Sequence, residues 1–570
     1  MKRYLRKIKY ELICLLAKPK EIPILFDKGQ WKKNSSVFNL FADTGVNLVS
    51  DLNLTDMKIF GKSYKSWIMN HDFFTNYKFK NNKLKPAYFN IADVKVPYEA
   101  SRLQHLQKQN MSVLCNKANK INNSLLNLEV DKFPFIYWNS PMDVAIRTIN
   151  LIIHRQFVAK KLNKSIIFNN SENQLDTYIS QHYQYVKDNL ENSGNVVGNH
   201  YLVELSCMLF YLANYENNDY KNDLAFTIGE LNNELGRQFN NEGTNFEGSS
   251  HYAAFATEAL ILCKLSLKDI GGNADLKDLV DSLIIKNKNF LSLLINQNEL
   301  SQIGDNDSGR IFYFAFNEDK PLHMTWLIKL IDSFKIRDDL SDKAEKKQIK
   351  LKKDLPDFTK LTSVKHPDIK VFSQEYEAYA YVEFGIYIWR NEKEYFSIRC
   401  GPIGQHGIGG HSHYDQLSIE CFSDNQWIAR DPGTGTYTDN IQKRNSFRSM
   451  QYHWGPNIDL NLRKEDEFDC FKLNNIGNGE ALLFDNKNFI GFADFDDGLV
   501  PDIYLLESLS NLGILGDINE KLFKRALDHI SGETFSSIIY QEKLSKIKRE
   551  IKTENEKKKQ ILILDDFPIE

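Results

Sequence analysis

The chain has little that would tie it to a membrane, a nucleic acid or an oxidised framework. Its seven cysteines stand singly, with no Cys-x-x-Cys pair and an odd total, which excludes a disulfide scaffold and leaves them as small buried hydrophobes. No segment carries the run of about 20 apolar residues that spans a bilayer, so no transmembrane segment is expected. The basic start MKRYLRKIKYELICLLAKPKEIPILF has an apolar stretch, Leu12 to Ala17, that is too short and too interrupted for a secretory signal. A formal charge of -3 provides no field for nucleic acid, and neither an RNA-binding nor a zinc-finger signature is present. Glycine and proline, 29 and 14 in 570 residues, are too sparse for a fibrous or disordered chain. What remains is a composition expected of a soluble protein, with no organic cofactor, and long enough to need two or three packed units. Aromatic residues reach 12%, and their faces can stack on sugar rings while polar edges stay wet.

From about residue 100 to 340 apolar residues recur at helical spacing, as in MDVAIRTINLIIHRQFVAKKL and YLVELSCMLFYLANY. Consecutive helices without strands build a bundle, a solenoid or a toroid of hairpins, and no fixed period selects among them. Residues 341–370 are rich in Lys and Asp without an apolar face and read as a linker. Beyond them short β-rich runs such as YAYVEFGIYIW and EYFSIRC predict an antiparallel β-sandwich. The tail KIKREIKTENEKKKQILILDDFPIE reads as a polar hairpin leading into a buried strand.

The densest chemical signal is Gly409-Gly410-His411-Ser412-His413-Tyr414-Asp415, followed by Asp431-Pro432-Gly433 and His453. Two imidazoles and a carboxylate, His413, Asp431 and His453, suit a tetrahedral zinc completed by water. A histidine on a loop is also commonly a surface or core residue. In the helical half, Asn199-His200 opens one helix and Glu247-Gly248-Ser249-Ser250-His251-Tyr252 opens another. Side chains there project into whatever cavity the helix ends surround, or else Asn199 and Ser249 simply cap their helices.

These segments together resemble the heparinase II/III-like polysaccharide lyases and the related oligoalginate lyases. The resemblance runs in order through Trp67, His71-Asp72, Asp93-Val94-Lys95, Glu99-Ala100-Ser101-Arg102, Pro141-Met142-Asp143 to Arg147, Asn199-His200, Glu247-Gly248-Ser249 with Tyr252, and Gly304-Asp305-Asn306-Asp307-Ser308-Gly309-Arg310. It ends with His411 to Ser418, Asp431-Pro432-Gly433-Thr434, Tyr437-Thr438, Arg444-Asn445 and Phe447-Arg448-Ser449, so that residues 60 to 450 are covered. The string Met450-Gln451-Tyr452-His453-Trp454-Gly455 departs from the family's Ala-His-Asn-Thr-like pattern.

What the resemblance implies is a multidomain α+β chain, an incomplete α/α toroid followed by an antiparallel β-sandwich. The corresponding division is an N-terminal extension packing on the toroid at 1–90, the toroid at 91–345, a linker at 346–370 and the sandwich at 371–570. The implied activity is β-elimination on a 4-linked uronate in an acidic polysaccharide or oligosaccharide, giving unsaturated products. Removing the proton alpha to a carboxylate requires that the carboxylate be neutralised, a task the resemblance gives to Asn199 helped by His200. Tyr252 and His411 are then the acid and base, in an order that depends on syn or anti elimination. His413, Asp431 and His453 are carried over as ligands of a structural zinc. Arg102, Arg147, Arg310 and Arg448, with Glu247, are substrate-binding candidates, and structural ion pairs explain the arginines equally well. The resemblance also implies export or a place near surface polysaccharide, while the start shows no evident signal peptide, so the compartment stays open. Two other readings compete. One is a toroid-type glycoside hydrolase using Asp305, Asp307 or Glu247, and the other is a non-catalytic glycan-binding or capsule-assembly protein.

Overall fold

The structure, a computed structural model, describes residues 70–79, 89–107, 133–161, 171–193, 197–306, 309–312, 322–334, 376–449 apart from 424, 452–454, 470–473 and 478–505 apart from 486–487 and 496–497, with isolated strand pairs elsewhere. The expected tail strands, Trp67, Asp307 and Ser308, and nearly all of the expected linker lie outside these residues.

Helices α1 (Lys95–Ser101), α2 (Pro141–Lys161), α3 (Ser171–Asp188), α4 (Asn199–Asn214), α5 (Tyr220–Gln238), α6 (Ser250–Ile270), α7 (Ala274–Leu294) and α8 (Thr325–Ser333) follow one another. Their amphipathicity dictates two layers. Every residue of α4 except His200 is buried, and so is α6 from Ser250 to Leu267 except Lys264. By contrast α5 buries one stripe, Asp223, Thr227, Leu231, Glu234, Leu235 and Gln238, at the spacing of a single helical face. Accordingly α4 packs between α2 and α6 on the inside, while α3, α5 and α7 back onto α2, α4 and α6. The expected run of consecutive helices is therefore present.

The chain then changes period. Strands β1 (Glu377–Tyr381), β2 (Ile386–Arg390), β3 (Tyr395–Arg399), β4 (Ile419–Ser423) and β5 (Gln426–Ala429) form one antiparallel sheet in sequence order. Both faces are covered, so its strands read as nearly continuous apolar runs. Tyr379, Tyr381, Ile386, Ile388 and Tyr395 face the helices and share their core. Ala378, Ala380, Tyr387, Trp389, Phe396 and Ile398 face the other way, onto Phe484, Phe489 and Ala493 of a second sheet. That sheet comprises β6 (Asn478–Phe484), β7 (Asn488–Phe495) and β8 (Gly498–Leu505). Register places small against large, with Ala378 opposite Trp389 and Ala380 opposite Tyr387. Truncating the fully enclosed Trp389 to Ala would cost about 3–5 kcal/mol.

Main-chain contacts hold the helical part to the sheet. Gln405 N donates to Phe246 O at 2.6 Å and Asp305 N to His411 O at 2.9 Å. This closeness needs glycine: at Gly304, with φ +67°, a Cβ would fall 2.5 Å from the His411 carbonyl oxygen, and at Gly404 one would strike the Glu247 backbone. Thr438 accepts from Val94 N at 3.1 Å and donates to Ala92 O at 2.7 Å, tying the segment before α1 to the loop that carries Tyr437. The five cysteines among the described residues are buried and unbridged. No helix among them is long and apolar enough to cross a membrane.

Candidate active site and cation site

Asn199 opens α4, but the cap position is Gly198, whose side-chain-free Cα lets the Glu247 carboxylate approach the helix start. Glu247 Oε1 accepts from Asn199 N at 2.8 Å and from Asn199 Nδ2 at 3.0 Å, while Oε2 accepts from Gln405 Nε2 at 2.6 Å. A carboxylate at a helix N-terminus is favoured by the free N–H groups there. Because Glu247 accepts only, it also fixes the amide orientation of Asn199. The Asn199 carbonyl oxygen is left buried without a protein partner, an unmet acceptor that a ligand's donor would satisfy. His200, 42% exposed at its side chain, meets Glu191 through Nδ1 at 2.6 Å. Burial works against its protonation but the Glu191 carboxylate prevails, and its pKa rises.

Ser249 caps α6, its hydroxyl oxygen accepting from Tyr252 N at 3.2 Å, and so sets Tyr252 one turn into the helix. The Tyr252 ring lies on the imidazole of His411, with centroids 3.7 Å apart and planes 18° from parallel. His411 Nε2 stands 3.8 Å from Glu247 Oε2, so the group bound to Asn199 also faces His411. Of the four residues expected to act, Asn199, Tyr252 and His411 thus converge across the junction, while His200 flanks them on α4.

Helix α9 (Ile441–Arg448) supplies Arg444, and the loop before it supplies Tyr437. Arg444 grips Asp305 with both terminal nitrogens, at 2.5 and 2.6 Å. Tyr437 donates its hydroxyl to Asp305 Oδ2 at 3.1 Å and lies 3.5 Å from the Tyr252 hydroxyl. Burial alone would raise the Asp305 pKa, but Arg444 and the imidazole donors hold it well below the usual carboxylate range. Tyr437, Arg444 and Gln405 had no assigned role in the sequence, and Asp305 had one only in the competing hydrolase reading. The bonds that bring them into the site, from Asp305 to residues 411, 413, 437 and 444 and from Gln405 to Glu247, each span more than 100 residues, and no spacing rule announces them.

His413, Asp431 and His453 are buried together and form the one group of potential metal ligands found among the described residues. His413 Nδ1 lies 3.2 Å from His453 Nε2 and 3.6 Å from Asp431 Oδ2, and the last two atoms are 2.9 Å apart. Bonds of roughly 2.0–2.1 Å give a tetrahedral edge of roughly 3.3–3.4 Å, so this triangle has the size of a zinc-type ligand face. The outer nitrogens are engaged, His413 Nε2 with Asp305 at 2.9 Å and His453 Nδ1 with the Ser449 carbonyl at 2.8 Å. Both partners accept, so both inner nitrogens present lone pairs toward Asp431. Three converging acceptors require a cation or a proton. Consistent with this, Asp431 and Asp305 overcome burial and push His413 up to about 9.

The arginines have a different fate from the one expected. Arg102 is enclosed and pairs with Asp143 at 2.6 Å and Glu99 at 2.5 Å. Arg147 is enclosed against the Phe133 and Trp138 rings and donates to His182 and to two carbonyls. Arg448 is enclosed and donates to Asn445 at 2.5 Å, and Arg310 is 3% exposed. Enclosed guanidinium groups are poorly placed to grip a polymer, and the partners of Arg102, Arg147 and Arg448 fit the structural alternative. Glu247, also fully buried, serves Asn199 and Gln405.

Residues 374–453, which contain His411, the three candidate ligands, Tyr437 and Arg444, match the family described as heparinase II/III-like, C-terminal. The chain carries a heparinase II/III-like C-terminal domain. Among solved structures, a heparinase III is similar at a TM-score of 0.51 and 12% identity, over 89% of this chain and 74% of that one. A heparan sulfate lyase HepC from Pedobacter heparinus is similar at a TM-score of 0.42 and 15% identity, over 87% of this chain and 69% of that one. The first indicates a shared fold that extends from the heparinase II/III-like domain back through the helices. No curated protein matches the chain.

Proposed function

We propose that this protein is a polysaccharide lyase that cleaves a 4-linked uronate in an acidic glycan by β-elimination, with products carrying an unsaturated uronate. The architecture we assign is an incomplete α/α toroid at 91–345, preceded by an extension that packs on it, then a linker and an antiparallel β-sandwich from 371. The observation that carries the reading is the stacking of Tyr252 on His411 beside an Asn199 amide that Glu247 holds in one orientation.

In this reading Asn199 Nδ2 donates to the substrate carboxylate, with His200 adding positive charge nearby. The α-proton then becomes acidic enough to be taken at neutral pH. Tyr252 and His411 share the two proton transfers, one removing the α-proton and the other protonating the departing glycosidic oxygen. His413, Asp431 and His453 would hold a zinc ion that braces the groove wall and supplies positive charge there. A hydrolase built on Asp305 or Glu247 is disfavoured. It needs a carboxylic acid kept protonated, whereas Asp305 is held ionised by Arg444 and Glu247 is enclosed by its donors.

The test is a screen of the purified protein on heparan sulfate, hyaluronan, alginate and bacterial capsular glycans. The ultraviolet absorbance of the unsaturated uronate and new reducing ends are read together. Both rising in step supports the lyase. Reducing ends without absorbance would make it a hydrolase, and binding with neither would make it a glycan-binding protein.

A further inference from the structure

Asp305 follows Gly304 in the segment after α7 and is fully enclosed. Five donor groups point at its two carboxylate oxygens. Oδ1 accepts from Arg444 Nη1 at 2.5 Å and from His413 Nε2 at 2.9 Å. Oδ2 accepts from Arg444 Nη2 at 2.6 Å, His411 Nδ1 at 3.0 Å and the Tyr437 hydroxyl at 3.1 Å. The main chain of the same residue is engaged as well. Its N–H donates to His411 O at 2.9 Å, and its carbonyl accepts from Ser249 Oγ at 2.6 Å, the hydroxyl that caps Tyr252.

We propose that Asp305 is the positioning residue of this site, fixing the tautomers of His411 and His413 together, so that one carboxylate orders both the imidazole against Tyr252 and the imidazole entering the cation site. The chemical role this gives His411 rests on the lyase reading; the tautomers do not.

The argument is one of donors and acceptors. A neutral imidazole has one N–H and one lone pair, and either nitrogen can carry the proton. Opposite an ionised carboxylate, the nitrogen that faces it must be the N–H, because two acceptors would otherwise confront each other, and charge-assisted bonds of this kind are about twice as strong as neutral ones. Asp305 therefore places the His411 proton on Nδ1 and leaves Nε2, the nitrogen 3.8 Å from Glu247, as the one that exchanges a proton. It places the His413 proton on Nε2 and turns the Nδ1 lone pair toward His453 and Asp431. Arg444 keeps the carboxylate ionised and stops it rotating, since a bidentate grip fixes its plane. The Tyr437 hydroxyl, spending its proton on Oδ2, turns a lone pair toward the Tyr252 hydroxyl, so the same carboxylate also orients that pair. A single group that sets a reacting imidazole and a ligand imidazole links the occupancy of the cation site to the geometry at His411.

The test uses the full chain with 15N-labelled histidine, zinc-loaded, with His411 and His413 resonances assigned from His411→Gln and His413→Gln. Imidazole 15N shifts report which nitrogen is protonated. The proposal expects Nδ1–H on His411 and Nε2–H on His413; the opposite tautomer at either residue overturns it, with no variant needed. In Asp305→Asn one acceptor oxygen becomes an NH2 donor, so at least one of the two imidazoles should switch. Zinc affinity, read by chelator competition, should fall about tenfold or more. On a cleaved substrate kcat should fall about 100-fold while KM changes less than about threefold. A folded Asp305→Asn that keeps both tautomers and its zinc affinity also overturns the proposal. If no acidic glycan is cleaved by the wild type, the lyase reading fails, and the tautomer and zinc measurements still decide the part played by Asp305.

Discussion

The imidazole of His411 lies flat on the phenol ring of Tyr252, 3.7 Å between centroids, although the two residues belong to different halves of the chain. The contact brings a group that donates or accepts protons at nitrogen against one that does so at oxygen. Tyr252→Phe keeps the stacked ring and removes only the hydroxyl, which has the Tyr437 hydroxyl 3.5 Å away. If Tyr252 transfers a proton, turnover should fall about 100-fold or more with KM and melting temperature nearly unchanged. Product absorbance in steady-state assays checks this, and near-normal turnover would move the proton transfer to His411 or His200.

Glu247 and Asn199 divide scaffold from chemistry. Glu247 is fully buried and satisfies Asn199 N, Asn199 Nδ2 and Gln405 Nε2, so Glu247→Ala orphans three donors in the interior. Unmet buried groups cost about 1–3 kcal/mol each and do not add fully, so a stability loss of about 3 kcal/mol or more is expected, with turnover falling as Asn199 loses its orientation. Asn199→Ala leaves Glu247 its main-chain and Gln405 donors and should lower turnover about 100-fold while stability changes little. Urea unfolding beside kinetics for the two variants checks the division. Equal destabilisation by both would reduce Asn199 to a structural cap.

The helices and the turn to strands were legible because period 3.6 and period 2 are written locally, and α4 and α6 begin near the expected Asn199 and Ser249. The cation trio was legible through the resemblance, since residue types alone leave loop histidines equally readable as surface or core groups, and the structure does bring His413, Asp431 and His453 together. The arginines misled because charge in a sequence is silent about burial. Arg102 meets Asp143, 41 residues away, and Arg147 lies among aromatic rings, neither of which a local pattern reveals. Asp305 was the least legible. Its five donors come from residues 411, 413, 437 and 444, and only the close approach that Gly304 permits brings them to it.

The cation site predicts a metal-dependent stability. Asp431 Oδ1 is occupied by Gly433 N at 2.7 Å, which leaves Oδ2 to face the two imidazoles. Protein prepared without chelator should contain about one zinc per chain, and chelation should lower the melting temperature by several degrees, restored by added zinc. His453→Ala, which removes one ligand and no more of the loop than an imidazole, should melt at the same temperature with and without chelator. Elemental analysis and thermal unfolding check this; metal-free protein whose stability ignores chelation would leave the trio as a hydrogen-bonded cluster holding a proton.

Acid should unfold the helical half through histidines that cannot take up a proton. His154, on α2, is fully enclosed, and burial pushes its pKa down to about 4. His182 is lowered too, by burial first and then by Arg147, whose Nε donates to His182 Nε2 at 2.9 Å and occupies the lone pair that a proton would need. Unfolded, each would titrate near 6.5. Above that pH both states are neutral at these groups and stability is unaffected. As pH falls below 6.5 the unfolded chain binds protons that the folded chain does not, so stability is lost, and for His154 the loss levels off near pH 4. A depression from 6.5 to about 4 corresponds to about 3 kcal/mol. Glu258 runs the other way. Burial raises it to about 7, so it adds stability as pH falls from 7 toward 4.5, and the wild-type profile alone therefore mixes the two. Comparing wild type with His154→Gln separates them: between pH 6.5 and 4 the variant should lose about 3 kcal/mol less in urea unfolding than the wild type does. Parallel profiles for the two proteins would mean that His154 takes up its proton as readily in the fold as in water.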